Sequence, residues 1–360
     1  METYITSHIG IIILILISNS SRPFYNLYEY SGARAIKQLI RPPSKKELED
    51  DNYRNPSTFV LWIFSIYIAI FGLASNRYER AVSTHEMQMA SFQTQMSTDL
   101  KGYSCAKIPK LQKATIPLEP NLFNIWQTIL SFFKVTKYKR GQTLIIDTLE
   151  SYKNVLTRAR LSQCDLSNAD FSNGNLAKSS FYQSNLIGTY FSWSNLEKAS
   201  FVKANCTQIH FFGTNLKKAT INKADLTSAI IVGSNLSYAQ LRKSKAANAT
   251  IVATNFSHAR LDQAKISYSE MTECDFQFAN MKNAIFLGTN LRKSDFISAN
   301  LTNVTFVEAD LTDTVNLTPK QLSQSKTLYK AKLPKKIEKE LRETHPHLFK
   351  KPDWYKEDET

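Results

Sequence analysis

The sequence predicts an all-β solenoid, a four-sided coil of stacked rungs, on three observations. Every fifth residue from Leu161 to Leu311 is apolar, at all thirty-one positions. The residue two before each of these is Ala, Ser, Thr, Cys or Gly, with Ile209 and Val304 the exceptions. No proline stands between Pro120 and Pro319.

Each observation has a physical reading. A period of five is divided neither by the 3.6 residues of a helix turn nor by the two-residue alternation of a half-buried strand. It suits a chain that turns a corner every five residues, so that four corners close one coil. One large and one small inward side chain per corner then fill a narrow interior. The residue before the apolar centre is often Asn or Asp, as at Asn175, Asn185, Asn195, Asn205 and Asn215. A short polar side chain there satisfies backbone groups that the turn leaves open. Proline is missing because each backbone NH is needed for bonds between stacked coils.

Stretches such as CDLSN, ADFSN, SNLEK, TNLKK, ADLTS and ADLTD resemble the A(D/N)LxX motif of the pentapeptide-repeat family. The resemblance covers 159 to about 315 and implies a right-handed quadrilateral β-helix. The tail from Leu317 is similar to the closing segment of some members. Thr318 and Pro319 suit the N-cap and first turn of a short capping helix. With 31 repeats on four walls, the rod is expected to hold about 7.75 coils and to be about 37 Å long at the usual inter-strand spacing.

Residues twenty apart should stack. The phenylalanine centres at 171, 181, 191, 201 and 211 fall on two opposite walls, whereas those at 256, 276, 296, 286 and 306 fall on the other pair. The aromatic packing axis therefore makes a quarter-turn between Phe211 and Phe256, across the weak repeat at Ala246.

The expected domains are a membrane anchor at 1–75 with apolar segments at 5–17 and 58–75, an intermediate region at 76–157, the β-helix at 158–316, and a capping and charged tail at 317–360. Segment 5–17 is short for a span, and lacks the basic flank of a signal peptide. The second segment is uncharged and is bracketed by Tyr53, Arg54, Arg77 and Tyr78, as interfacial aromatics and cations would bracket a span. Seven Lys/Arg in residues 18–57 put that loop in the cytoplasm by the positive-inside rule. The expected location is thus a bacterial inner membrane with the repeat domain on the non-cytoplasmic side.

Within 76–157, Val82, Met89 and Met96 recur every seven residues with Phe92 between them. This reads as a weakly pairing helix that makes a homodimer stalk, or as a surface helix continuing out of the membrane. Asp99 and His85 interrupt the seam. Prolines in 101–121 mark a linker, and LFNIWQTILSFFKV and TLIIDTLESYKNVL read as helices covering the first coil.

The net charge of +14 permits contact with anionic lipid headgroups or other phosphate-rich partners. Cys105, Cys164, Cys206 and Cys274 have no ligand spacing, so neither a zinc site nor a disulfide framework is expected. His345 and His347 read as tail residues.

Outward positions carry the binding reading. Lys178, Lys198 and Lys218 form one ladder, and Lys203, Lys223 and Lys243 form another on the adjacent wall. The first ladder continues as Tyr238, His258 and Phe278. This stripe reads either as a docking surface for an unidentified acidic protein, a lipid headgroup or nucleic acid, or as a solvated face screened by water.

No HExxH, GxGxxG, P-loop or GxSxG occurs, so no catalytic, cofactor-binding or metal residue is assigned. The expected function is a non-catalytic, membrane-anchored scaffold. One branch of the family protects DNA gyrase by imitating DNA, which needs an acidic rod. Residues 158–313 carry 16 Lys/Arg against 12 Asp/Glu, which disfavours that alternative and nucleic-acid mimicry with it. A host-directed effector is the other alternative.

Overall fold

The computed structural model describes Arg34, Lys37, Gln38, 41–50, 59–98 and 107–356. The expected segment 5–17, and Ser57, Thr58 and Cys105, lie outside the described residues.

Ahead of the coil stand α1 (Lys45–Leu48), α2 (Phe59–Thr98), α3 (Ile108–Gln112), β1 (Thr115–Pro117), α4 (Ile125–Leu130), β2 (Val135–Lys137) and α5 (Lys139–Ser151). Within the coil come β3 (His210–Phe212), β4 (Ile230–Val232), β5 (Lys245–Ala247), β6 (Thr250–Val252), β7 (Lys265–Ser267) and β8 (Ile285–Leu287). After it follow α6 (Pro319–Leu322) and α7 (Lys335–Thr344). The chain divides into two compact units, one of residues 1–83 and 115–136 and one of 84–114 and 137–360.

In the second unit the coil is a β-solenoid. Parallel pairing joins residues twenty apart, from Arg160↔Ser180 to Asp295↔Val315, and β3-β4-β6 and β5-β7-β8 are its longer ladders. The apolar centres are all buried, and so are Ile209 and Val304 at the small position. Hydroxyls at that position are not orphaned in the core. Thr189 Oγ1 donates to the Leu166 carbonyl of the preceding coil at 2.8 Å and Thr214 Oγ1 to that of Phe191 at 2.7 Å, so the polar atom is paired where it is buried.

The Asn column does two jobs. Asn195 Nδ2 donates to Asn175 Oδ1 at 3.1 Å, and Asn215 Nδ2 to Asn195 Oδ1 at 3.1 Å. The same oxygen of Asn195 accepts from Glu197 N at 3.2 Å, closing the local turn.

The aromatic core makes its quarter-turn. Phe171, Phe191 and Phe211 stack at 5.3 and 5.7 Å, with Phe181 and Phe201 stacked at 4.9 Å opposite them. Past Ala246 the stacks are Phe256–Phe276–Phe296, at 5.3 Å each, and Phe286–Phe306 at 5.6 Å.

Both ends of the core are covered. Met89, Phe92 and Met96 of α2, Ile108 of α3, and Ile145 and Leu149 of α5 join the buried cluster that begins with Leu156 and Leu161. That stripe, read as a homodimer stalk or as a surface helix, packs its Met89, Phe92 and Met96 inside the unit itself. His85, expected to spoil that seam, is buried edge-on to Tyr138 at 4.9 Å, and burial lowers its pKa. At the far end α6 has the expected cap: Thr318 Oγ1 accepts from Gln321 N at 3.2 Å, and Thr318 N donates to Gln321 Oε1 at 3.0 Å. Leu322, Leu328, Leu341 and Leu348 close the last coil.

The first unit differs from expectation. Among the described residues, no helix is long and apolar enough to cross a membrane. The expected span over 58–75 begins outside those residues and reaches charge at Arg77. The 122–134 stretch, expected as a capping helix, falls in this first unit. Its helix α4 is short, Asn124 accepting from Gln127 N at 3.0 Å to cap it.

Buried thiols offer a direct check on the solenoid. Cys164, Cys206 and Cys274 are buried thiols outside any disulfide. Burial pushes Cys206 up beyond the usual thiol range, and Cys274 is pushed up to about 12 chiefly by the same cause. The reactive species is the thiolate, and these thiols stay protonated at mildly alkaline pH. At pH 8 all three should resist a disulfide reagent in the native protein and react at once in denaturant, as thiol titration will show.

Candidate docking walls

Each corner places one residue in the left-handed region, and that residue points outward. The corner column comprises Lys178 (φ 61°), Lys198 (61°), Lys218 (60°), Tyr238 (61°), His258 (56°) and Phe278 (56°). The sequence-predicted stripe is therefore continuous, and all six side chains are exposed. Its aromatic half is ordered by stacking, with Tyr238–His258 at 4.6 Å and His258–Phe278 at 4.9 Å, nearly parallel at 5° and 8°. The Lys218 ammonium sits 6.0 Å from the Tyr238 ring centroid, a cation–π junction between the halves. Lys198 also pairs with Glu197 at 3.0 Å, and this lowers the Glu197 pKa.

The second ladder, Lys203, Lys223 and Lys243, occupies another corner, also with positive φ. Sequence reading missed that Lys245 flanks it across a shallow recess of about 280 Å3, lined also by Asn205, Thr207 and Asp225. Lys203 leans on Tyr182, its Nζ 5.7 Å from the ring centroid.

A third feature was also missed. The wall of β3, β4 and β6 turns apolar and aromatic groups outward: Tyr190, Trp193, Phe212 and Ile230, at 44, 62, 45 and 38% exposure. Tyr190 stacks on His210 at 4.3 Å and Trp193 meets Phe212 edge-on at 5.2 Å. Burial lowers the His210 pKa, keeping that ring neutral beside Tyr190. Tyr190, His210 and Ile230 stand twenty apart, and that spacing was the available signal. Trp193 and Lys198 stand at the two corners of the coil side centred on Leu196, so the apolar wall and the basic stripe border one surface.

Gly213 makes this wall possible. It sits at φ 61°, and a Cβ there would run into the indole of Trp193 lying across it. Gly233 has the same φ of 61° and nothing within 4 Å of that position. Gly213→Ala should therefore displace the Trp193 ring from Phe212, whereas Gly233→Ala should not. Near-UV circular dichroism would read the difference, and equal spectra for the two variants would contradict it.

Among the described residues, no group of His, Cys, Asp or Glu is placed to hold a metal ion. The walls offer charge, rings and amides in columns twenty residues apart.

Comparison with known proteins agrees on the coil. No curated protein matches the chain. Among solved structures it is similar to HetL of the cyanobacterium Nostoc sp., a pentapeptide repeat protein involved in heterocyst differentiation regulation, at 18% identity over 53% of this chain and 93% of that one, TM-score 0.35. It is also similar to QnrB1, a plasmid-mediated fluoroquinolone resistance protein, at 20% identity over 53% of this chain and 90% of that one, TM-score 0.38. Residues 155–231 match the pentapeptide repeat region and 274–313 match pentapeptide repeats (8 copies). The stretch between them holds Ala246 and the three-residue strands β5, β6 and β7. By these matches and its register, the coil of this chain is built of pentapeptide repeats.

Proposed function

We propose that this protein is a non-catalytic scaffold that presents its β-helix to a protein partner from a membrane. The observation that carries the reading is the corner column running from three lysines into the Tyr238–His258–Phe278 stack. Ordered rings beside exposed cations fit a protein interface, with aromatic anchors and a charged rim. The apolar wall at Trp193 and Phe212, bordering the same surface, extends the anchor area. An acidic partner is the occupant the lysines favour.

Membrane attachment is supported by the uncharged run between Arg54 and Arg77. Trp62, Phe64 and Leu73 of α2 are 63, 59 and 65% exposed, an arrangement that lipid favours and water does not.

Crosslinked pull-down from membranes tests the stripe, comparing the native chain with Lys178→Glu, Lys198→Glu and Lys218→Glu combined. These side chains are exposed, so the variant should fold and lose the partner, while recovery of the same partner from both proteins would rule the stripe out. Protease protection in intact cells tests the non-cytoplasmic placement of the β-helix.

A further inference from the structure

The segment between β1 and β2 is inside out. Its buried side chains are Thr128 and Ser131, at 0 and 2% exposure, while Phe123, Trp126 and Phe133 are 83, 75 and 81% exposed and Ile125 is 55%. A helix packed for water does the reverse.

Its polar groups meanwhile find partners within its own unit. Thr128 Oγ1 donates to Asn121 O at 2.8 Å, Ser131 Oγ to Thr128 O at 2.6 Å and Gln127 Nε2 to Glu119 O at 3.0 Å. Phe123 N donates to Asn121 Oδ1 at 2.9 Å, and Lys134 N to Leu130 O at 2.8 Å. Two side chains of α2 take further carbonyls of the segment. Tyr67 Oη donates to Leu122 O at 2.7 Å, and Arg77 Nη1 to Phe132 O at 2.7 Å. Ten residues of helix separate Tyr67 from Arg77, so the segment lies along α2 for about 15 Å, beside the apolar band of Ile68 and Leu73. Satisfied polar groups inside and bare rings outside are the requirements of a hydrocarbon solvent.

We infer that residues 121–135 form a second lipid-inserted element, seated at the bilayer edge against α2. Arg77 and Lys134 stand at its end where headgroup phosphates would lie, and Trp126 and Phe133 are interfacial anchors. This rests on the membrane reading given above but is separable from it.

The test uses full-length chains carrying a single tryptophan, the other three changed to Phe. One keeps Trp126 and the other keeps Trp62. Each is reconstituted into phosphatidylcholine–phosphatidylglycerol vesicles with plain or brominated tails, and protection of the Cys206 thiol confirms that the coil is folded. Trp126 emission should shift to shorter wavelength and be quenched by brominated tails. Quenching of Trp62 alone would overturn the inference and leave the α2 anchor standing. Quenching of neither would overturn both. Shielding of Trp126 without quenching would assign the face to a protein contact instead.

Discussion

Phe191→Ala is expected to cost roughly 3–5 kcal/mol of stability, the range for removing a large ring from a packed core. Phe191 stacks on Phe171 at 5.3 Å and on Phe211 at 5.7 Å, and meets Phe181 and Phe201 edge-on at 5.5 and 6.0 Å. Parallel pairing fixes the backbone on every side, so the walls cannot collapse into the void. Each rung rests on its neighbours alone, and the damage spreads through shared interfaces. Phe278→Ala is the control, since that ring is 51% exposed and its loss should cost about 0.5 kcal/mol. Urea unfolding of the two variants by far-UV circular dichroism would decide the matter. Equal losses would show that the ladder does not support the coil.

The second large effect is a change of assembly. A chain ending at Pro334 removes Leu341 and Leu348, 0 and 1% exposed, each of which contributes roughly 1.5–3 kcal/mol through burial. It also removes the Leu348 carbonyl that accepts from Leu328 N at 2.7 Å. The last rung, paired through Thr305↔Thr327 and Asp310↔Lys332, then shows an open edge over bare apolar groups. Open edges recruit other edges. The truncated protein should self-associate end to end, read as a rise in mass by light scattering during gel filtration. A truncated chain of unchanged mass would mean that α7 and the turn after it are dispensable as a cap.

The coil was legible because its pattern is one-dimensional. Leu161 to Leu311 are inward on every wall, so a fixed stride finds them without any knowledge of what lies beside them. Corner columns follow from the same stride, which is why Lys178, Lys198 and Lys218 came out together with Tyr238, His258 and Phe278. The Trp193–Phe212 wall mixes two kinds of position, one at a corner and one before it. It emerges only when the rungs are laid side by side.

The flanking helices were less legible for a different reason. Periodicity in 122–134 identifies a face of Phe123, Trp126 and Phe133, but says nothing of the medium that face meets. Nor does spacing show that Thr128 and Ser131 are the residues buried there. Likewise, the seven-residue spacing of Met89 and Met96 specifies a stripe without naming its partner, which is this unit's own core.

The left-handed corner has a further consequence for how such a protein changes over time. Lysine, glutamine, tyrosine, histidine, phenylalanine and glutamate all occupy it with φ between 52° and 62°, at positions such as Lys178, Gln163, Tyr268, His258, Phe278 and Glu273. The backbone is held there by bonds between rungs and not by the preference of the corner residue. A substitution at a corner thus rewrites what a passing molecule meets while the interior goes unaltered. Recognition and architecture occupy separate columns of the same text, and one can drift without spoiling the other.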